Sequence, residues 1–196
     1  AFDYICPNNL DEVVALLEER GDAAAVLAGG QSLMPILAFR LATPELVVDL
    51  KNIPGLDTIV VGDDGVQLGA LVRWCDIERD AALGTASPLL VAATRNIAHY
   101  QIRNRGTVGG SLALADPAAE LPGIAVTCGA KIAITGSSGE RIVDAGDFFL
   151  GPMTTALEPG EIITGLRLSA WPRERRWAFL EFTRQRGDFA LVGISL

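Results

Sequence analysis

The 196 residues carry 16 Lys and Arg against 24 Asp and Glu, for a formal net charge of −8, and 49% of them are hydrophobic. That acidity argues against a nucleic-acid partner or an anionic membrane surface, and no apolar run approaches the roughly 20 residues that span a bilayer. Cys6, Cys75 and Cys128 are scattered without metal-ligand spacing, so no metal site is expected and reduced, cytoplasmic thiols are. The first residues, Ala1 to Tyr4, show neither the basic start nor the apolar core of a signal peptide.

Taken in order, residues 2–7 predict a short edge strand closed by Pro7. Asn9 opens a helix whose Leu10, Val13, Val14 and Leu17 share one face, with Gly21 past its end. Residues 23–27 read as a buried strand delivering Ala28-Gly29-Gly30-Gln31-Ser32. Residues 32–40 then form a helix that tolerates Pro35 in its first turn, and residues 45–49 another strand. This alternation is the pattern of a small α/β unit. Asn52-Ile53-Pro54-Gly55 marks a boundary and divides the chain into 1–53 and 54–196.

Beyond the boundary a hairpin is expected, with strands at 57–61 and 66–71 about Asp63-Asp64-Gly65. Helices follow near 74–83 and 88–98, then a second glycine segment. A helix capped by Asp116, with Pro117 at its first position, comes next. A second hairpin turns at Gly136-Ser137-Ser138-Gly139, and strands close the chain at 161–168, 177–184 and 189–196. The run from Ala190 to Leu196 stops inside a strand-like pattern, so the chain is expected to continue beyond it.

Thr107-Val108-Gly109-Gly110-Ser111 is the stretch around which this pattern is organised. Paired glycines let a backbone approach a phosphate and aim N–H groups at its oxygens. Alone, this segment or the one at Gly29-Gly30 reads equally well as a tight turn. Together, each with a following serine and helix, they point to one diphosphate held from two sides. Asp116 reads as a helix cap. Glu120 lies one turn later, either against a ribose hydroxyl or as a solvated carboxylate. His99 is the only histidine, and no nucleophile–base set or paired-carboxylate site can be assembled. No G-x-G-x-x-G follows a strand, so a Rossmann site is not supported. Arginines at 95, 103 and 105, and at 173, 175, 176, 184 and 186, read as mostly solvated, while Trp74, Trp171 and Trp177 read as packing residues.

The segments Ala28-Gly29-Gly30-Gln31-Ser32-Leu33-Met34-Pro35, Thr107-Val108-Gly109-Gly110-Ser111 and Asp116-Pro117-Ala118-Ala119-Glu120-Leu121-Pro122 carry a resemblance, as does the closing Gly187-Asp188-Phe189-Ala190-Leu191-Val192-Gly193. The chain resembles, along essentially its whole length, the FAD-binding medium subunit of the molybdenum hydroxylases, the group of xanthine dehydrogenases and aerobic carbon monoxide dehydrogenases. The resemblance implies an α+β fold of the p-cresol methylhydroxylase type, with a small α/β subdomain, a larger mixed subdomain, and the family's C-terminal subdomain absent here. It implies that Ala28, Gly29, Gly30, Gln31, Ser32 and Leu33 wrap the FAD diphosphate together with Thr107, Gly109, Gly110 and Ser111. Asp116 belongs to the same binding set. Glu120 is placed on the adenosine ribose, Leu157 near the adenine and Ile97 near the isoalloxazine ring. It further implies an electron-transfer oxidoreductase subunit with no catalytic side chain of its own. The implied partners are an iron–sulfur small subunit and a molybdenum-cofactor large subunit. A stand-alone FAD oxidoreductase of the same fold and a flavin-free scaffold subunit remain the alternatives.

Overall fold

A three-stranded parallel sheet from the first fifty residues stands beside a five-stranded antiparallel sheet from the remainder. The structure, a computed structural model, describes residues 1–172 and 174–196. Arg173, one of the terminal arginines noted above, therefore lies outside the described residues.

The first part runs β1 (Asp3–Ile5), α1 (Leu10–Arg20), β2 (Ala24–Leu27), α2 (Leu33–Ala38) and β3 (Leu46–Asp49), with strand order β1-β3-β2. β3 is central and wholly buried, so its Leu46-Val47-Val48 run is continuously apolar rather than alternating. The Asn9 side chain starts α1 by accepting from the Glu12 N–H at 2.9 Å, and Gly21 ends it with φ of 50°. The expectation of a buried strand at 23–27 is corrected. β2 is an edge strand that leaves Val26 exposed, because only β3 pairs with it.

The second part opens with the expected hairpin, β4 (Ile59–Gly62) and β5 (Gly65–Gly69), followed by α3 (Trp74–Arg79), α4 (Leu83–Ala86) and α5 (Pro88–Thr94). The single helix expected over 74–83 is thus two. Asp80 is extended, and its Oδ1 accepts from the Ala82 and Leu83 N–H groups at 2.8 and 3.1 Å. A short acidic side chain that bonds its own neighbouring backbone competes with a continuing helix.

Next come α6 (Tyr100–Arg103), α7 (Val108–Leu114) and α8 (Glu120–Thr127). The Gly109-Gly110 pair lies inside α7 rather than in a loop ahead of a helix, and Thr107 caps that helix by accepting from the Gly110 N–H at 3.2 Å. The helix expected from Pro117 also starts later. Asp116 Oδ1 accepts from the Ala118 N–H at 2.8 Å, which holds Pro117 in a turn, and α8 begins at Glu120 with Ala119 as its N-cap.

β6 (Lys131–Gly136) and β7 (Gly139–Asp144) form the second hairpin. Short elements absent from the sequence reading follow: α9 (Ala145–Phe148) and the ribbon of β8 (Phe149–Gly151) with β9 (Thr154–Thr155). β10 (Ile162–Ser169) then inserts between β5 and β6, giving the order β4-β5-β10-β6-β7, and β11 (Phe179–Phe182) pairs with β12 (Val192–Ser195).

The main core gathers Leu90, Leu112, Leu121 and Ile124 from helices with Leu68, Ile132, Ile134 and Leu166 from the large sheet. Each such side chain contributes about 1.5–3 kcal/mol on burial. A second core joins Val13, Leu17, Leu46 and Val48 to Leu56 and to Ile162 of β10, so the small sheet packs against the large one. No helix among the described residues is long and apolar enough to cross a membrane.

Candidate functional site

A cavity of about 530 Å³ lies between residues 28–33, which lead from β2 into α2, and residues 107–111, which open α7. Cofactor pockets occupy roughly 300–1,000 Å³. Ala28, Gly29, Gly30, Gln31, Ser32 and Leu33 line it, as do Thr107, Gly109, Gly110, Ser111, Asp116, Glu120, Leu157 and Ile97. Segments far apart in the chain thus converge on one cavity. The structure adds Trp74 from α3, Ile102 from α6, the turn residue Ala98, and residues 187–189 from the link between β11 and β12. Sequence reasoning gave none of these a site role. Trp74 and Ile102 look like any core aromatic or aliphatic residue. Residues 187–189 did carry a signal, since they fall in the closing family-like motif.

The two glycine segments do different work. Among the described residues no hydrogen bond takes up the backbone N–H groups of Gly29, Gly30, Gln31, Ser32 or Leu33. Five consecutive donors that the protein leaves free on a half-buried cavity wall suit an anion, since successive backbone N–H groups in a turn form an anion-binding concavity. In the second segment the donors from Val108 to Ser111 are already used, while the Thr107 N–H has no partner among the described residues. Val108 N–H donates to Val72 O at 2.9 Å, Gly109 N–H to Ala70 O at 2.8 Å and Ser111 N–H to Thr107 O at 3.1 Å, while the Gly110 N–H serves the Thr107 cap. What the second segment provides is closeness: a Cβ on Gly109 would stand 2.6 Å from Ala70 Cβ. No Lys or Arg among the described residues lines the cavity, so backbone dipoles rather than side-chain cations face a bound anion.

Toward Glu120 the wall becomes acidic. Burial pushes the Glu120 carboxyl up to about 7, and the nearby carboxylates of Glu181 and Asp116 add to the effect. Glu181 Oε2 is itself buried with no hydrogen-bond partner among the described residues. A carboxyl so placed is a natural acceptor for a hydroxyl donor.

Leu157 belongs to a loop that is clamped by an ion pair whose carboxylate, Glu161, also lines the cavity. Arg141 Nε and Nη2 donate to the two carboxylate oxygens of Glu161, both at 2.6 Å, and Nη2 also donates to Ala156 O at 2.7 Å. Glu161 Oε2 in turn accepts from the Glu158 N–H at 2.7 Å. The Arg141 guanidinium holds the Glu161 carboxyl below the usual carboxylate range. Glu161 and Asp188 also line the cavity, and Trp74, Ile97, Ile102 and Phe189 give it its apolar stretches. An anion-compatible run, a hydroxyl acceptor and two apolar stretches are the chemistry that a diphosphate, a ribose and two ring systems require, so the residues present fit FAD. Among the described residues no group of three or more His, Cys, Asp or Glu side chains could hold a metal ion.

Comparison with known proteins agrees with this chemistry. The family model described as the FAD binding domain in molybdopterin dehydrogenase matches residues 1–171. The caffeine dehydrogenase subunit beta of Pseudomonas sp. (strain CBB1) is 39% identical over 197 residues, covering 100% of this chain and 67% of that protein. The crystal structure of quinoline 2-oxidoreductase from Pseudomonas putida 86 superposes with a TM-score of 0.94 at 40% identity, over 100% of this chain and 67% of that one. The cyanide-inactivated form of the Cu,Mo-CO dehydrogenase gives a TM-score of 0.96 at 38% identity, over 99% and 68%. This chain spans about two thirds of the length of the curated relatives it matches. The α+β FAD-binding fold expected from the sequence is the fold it shares with these structures. The chain belongs to the family of FAD-binding domains of the molybdopterin dehydrogenases, and its cofactor is FAD.

Proposed function

We propose that this chain is the FAD-binding part of the medium subunit of a molybdenum-containing hydroxylase or dehydrogenase, and hence an oxidoreductase flavoprotein. When bound, FAD supplies the electron relay between the iron–sulfur clusters of a small subunit and an external acceptor, while a molybdenum-cofactor large subunit handles the substrate. The chain's own residues bind, orient and shield, and none acts as acid, base or nucleophile.

The observation that carries this reading is the run of unpartnered N–H groups from Gly29 to Leu33 on the cavity wall. These donors hold the diphosphate, with Ala28 behind them and Thr107, Gly109, Gly110 and Ser111 closing the opposite side. Asp116 fixes the turn that presents Glu120, and Glu120 accepts from the adenosine ribose. Leu157 packs on the adenine, and Ile97 lies against the isoalloxazine ring. The chain divides at 53/54 into a small subdomain, 1–53, and a larger one, 54–196, each with its own sheet. Three free cysteines favour a reducing, cytoplasmic setting.

The test is purification of the full-length protein with its genomic neighbours co-expressed. Expected are a flavin absorption spectrum, one FAD released per chain on denaturation, and co-elution with an iron–sulfur and a molybdenum subunit. A folded protein that takes up no FAD would identify a scaffold. A flavoprotein that elutes alone and turns over a substrate unaided would identify a stand-alone oxidoreductase.

A further inference from the structure

Arg103 closes α6, and its side chain is only 15% exposed. Nη1 donates to the carbonyls of Ile97 and Ala98 at 3.0 and 3.1 Å, and Nε donates to Glu78 Oε2 of α3 at 3.2 Å. The Glu78 side chain is 23% exposed. Neither Arg103 nor Glu78 lines the cavity, but the turn they hold does, through Ile97 and Ala98.

That turn needs an outside tie. Ala98 has a φ of 42°, in the left-handed region that a residue with a Cβ rarely enters. Such a conformation persists only where surrounding contacts over-determine it. One guanidinium nitrogen shared by two successive carbonyls is such a contact.

The end of this turn, through the His99 ring and the Ala98 carbonyl, also meets a second piece of the wall. A Cβ on Gly187 would stand 3.1 Å from Ala98 O and would overlap the His99 ring, so the Gly187 backbone is seated directly on this turn. Gly187, Asp188 and Phe189 line the same cavity. The guanidinium, the turn and the late segment are therefore stacked in one mechanical series behind a single face.

We propose that Arg103, braced by Glu78, is a positioning residue for the flavin: it fixes the Ile97-Ala98 turn, and the Gly187 backbone resting on it, as one wall against the isoalloxazine ring. This rests on the reading that sets Ile97 beside that ring. The fork geometry is essential to the role. With Nε committed to Glu78, Nη1 is turned toward the two carbonyls, whereas a lysine ammonium is a single point that cannot hold both relationships.

The experiment compares Arg103→Lys, Glu78→Gln and Ile97→Ser in the full-length protein. Its readouts are FAD affinity, the visible circular dichroism of the bound flavin, the flavin midpoint potential, and the affinity for ADP as a probe of the diphosphate half alone. Arg103→Lys is expected to weaken FAD about tenfold, to change the dichroism and to shift the potential, with ADP affinity held within about twofold. Glu78→Gln is expected to move the same readouts in the same direction by less. Ile97→Ser reports on the underlying reading, since it alters the flavin signals only if Ile97 meets the ring.

Altered flavin signals in Ile97→Ser with wild-type dichroism and potential in the other two variants would overturn the positioning role and leave the Ile97 reading standing. Silent flavin signals in Ile97→Ser would overturn the reading, and the proposal with it. Equal losses of FAD and ADP affinity in Arg103→Lys would make the arginine a general structural tie, which also overturns the proposal. Should Arg103→Lys not fold, Glu78→Gln decides on the same readouts, because it leaves both carbonyl contacts available.

Discussion

A Cβ built on Gly29 would collide with the carbonyl oxygen of Arg105, so the first glycine segment is in direct backbone contact with the chain that leads into α7. The glycine is needed here first for protein packing. Gly29 and Gly106 both line the cavity at this contact, and a ligand is not required to explain the missing side chain.

Gly29→Ala is therefore expected to destabilise the protein by about 1–3 kcal/mol, the usual range for forcing an atom into packed structure. FAD content should fall in parallel, because the unpartnered donors move with the segment. Gly84→Ala in α4 is the matched control. A Cβ there meets nothing, and alanine favours a helix, so its melting temperature should hold or rise slightly. Thermal melts of both variants decide the matter. A Gly29→Ala protein as stable as wild type would mean that the two backbones separate at little cost.

Glu120 gives the site a pH dependence. Its carboxyl is raised from 4.5 to about 7 by burial, so the folded chain keeps a proton that the unfolded chain releases. The associated stability is complete below about pH 4.5 and is lost as pH rises through about 7. Glu120→Gln removes that loss. The variant should match wild type near pH 4.5 and exceed it at pH 8 by on the order of 1–2 kcal/mol, allowing for solvent screening. FAD binding runs the other way, because the ionised carboxylate is the better acceptor for a ribose hydroxyl. Wild-type FAD affinity should climb from about pH 6 to 8 and stay level in the variant. A level wild-type profile would take Glu120 off the ribose.

The Arg141–Glu161 pair makes the opposite prediction on the acid side. Glu161 is held below its ordinary value, so its contribution is present above about pH 4.5 and disappears as pH falls through the lower, folded value. Arg141 is partly exposed, and Arg141→Met should cost about 1 kcal/mol near neutrality. Urea midpoints of the two proteins should converge as the solution is acidified. AMP affinity should drop in the variant because the loop bearing Leu157 loses its clamp. Unchanged AMP binding in a folded variant would separate that loop from the adenine.

Thr107→Val tests the helix cap that holds the glycine pair inside α7. The Thr107 hydroxyl accepts from the Gly110 N–H, and losing such a cap costs about 1 kcal/mol. Thr107→Ser keeps the oxygen and should melt close to wild type. Similar losses in both variants would point to the methyl group and not the hydrogen bond.

Much of the fold could be read along the chain because its cues are local. The Asn9 cap, the Gly21 stop, the two hairpins turning at Asp63-Asp64-Gly65 and Gly136-Ser137-Ser138-Gly139, and the central strand Leu46–Asp49 all follow from neighbouring residues. Where reading failed, a side chain had two local uses. Asp80 and Asp116 each bond nearby backbone N–H groups, which splits one expected helix and delays the start of another. The signal for Asp116 as a helix cap and for Asp116 as a turn residue is the same until the geometry is seen.

The sequence by itself pointed to the segments that line the cavity and to a diphosphate, because glycine pairs, caps and hydrophobic periods are short-range statements about backbone conformation; the family and FAD came through the resemblance those segments carry. Tertiary structure alone decided how those segments share the work. Only the fold seats Gly29 on Arg105, spends the α7 donors on Val72, Ala70 and Thr107, and leaves the N–H groups of residues 29–33 without partners. Only the fold puts Arg103 of α6 behind the Ile97-Ala98 turn with Glu78 of α3 as its brace. Hydrogen-bond partners and burial are properties of residues brought together from distant parts of the chain, and no spacing along the sequence encodes which of them will meet.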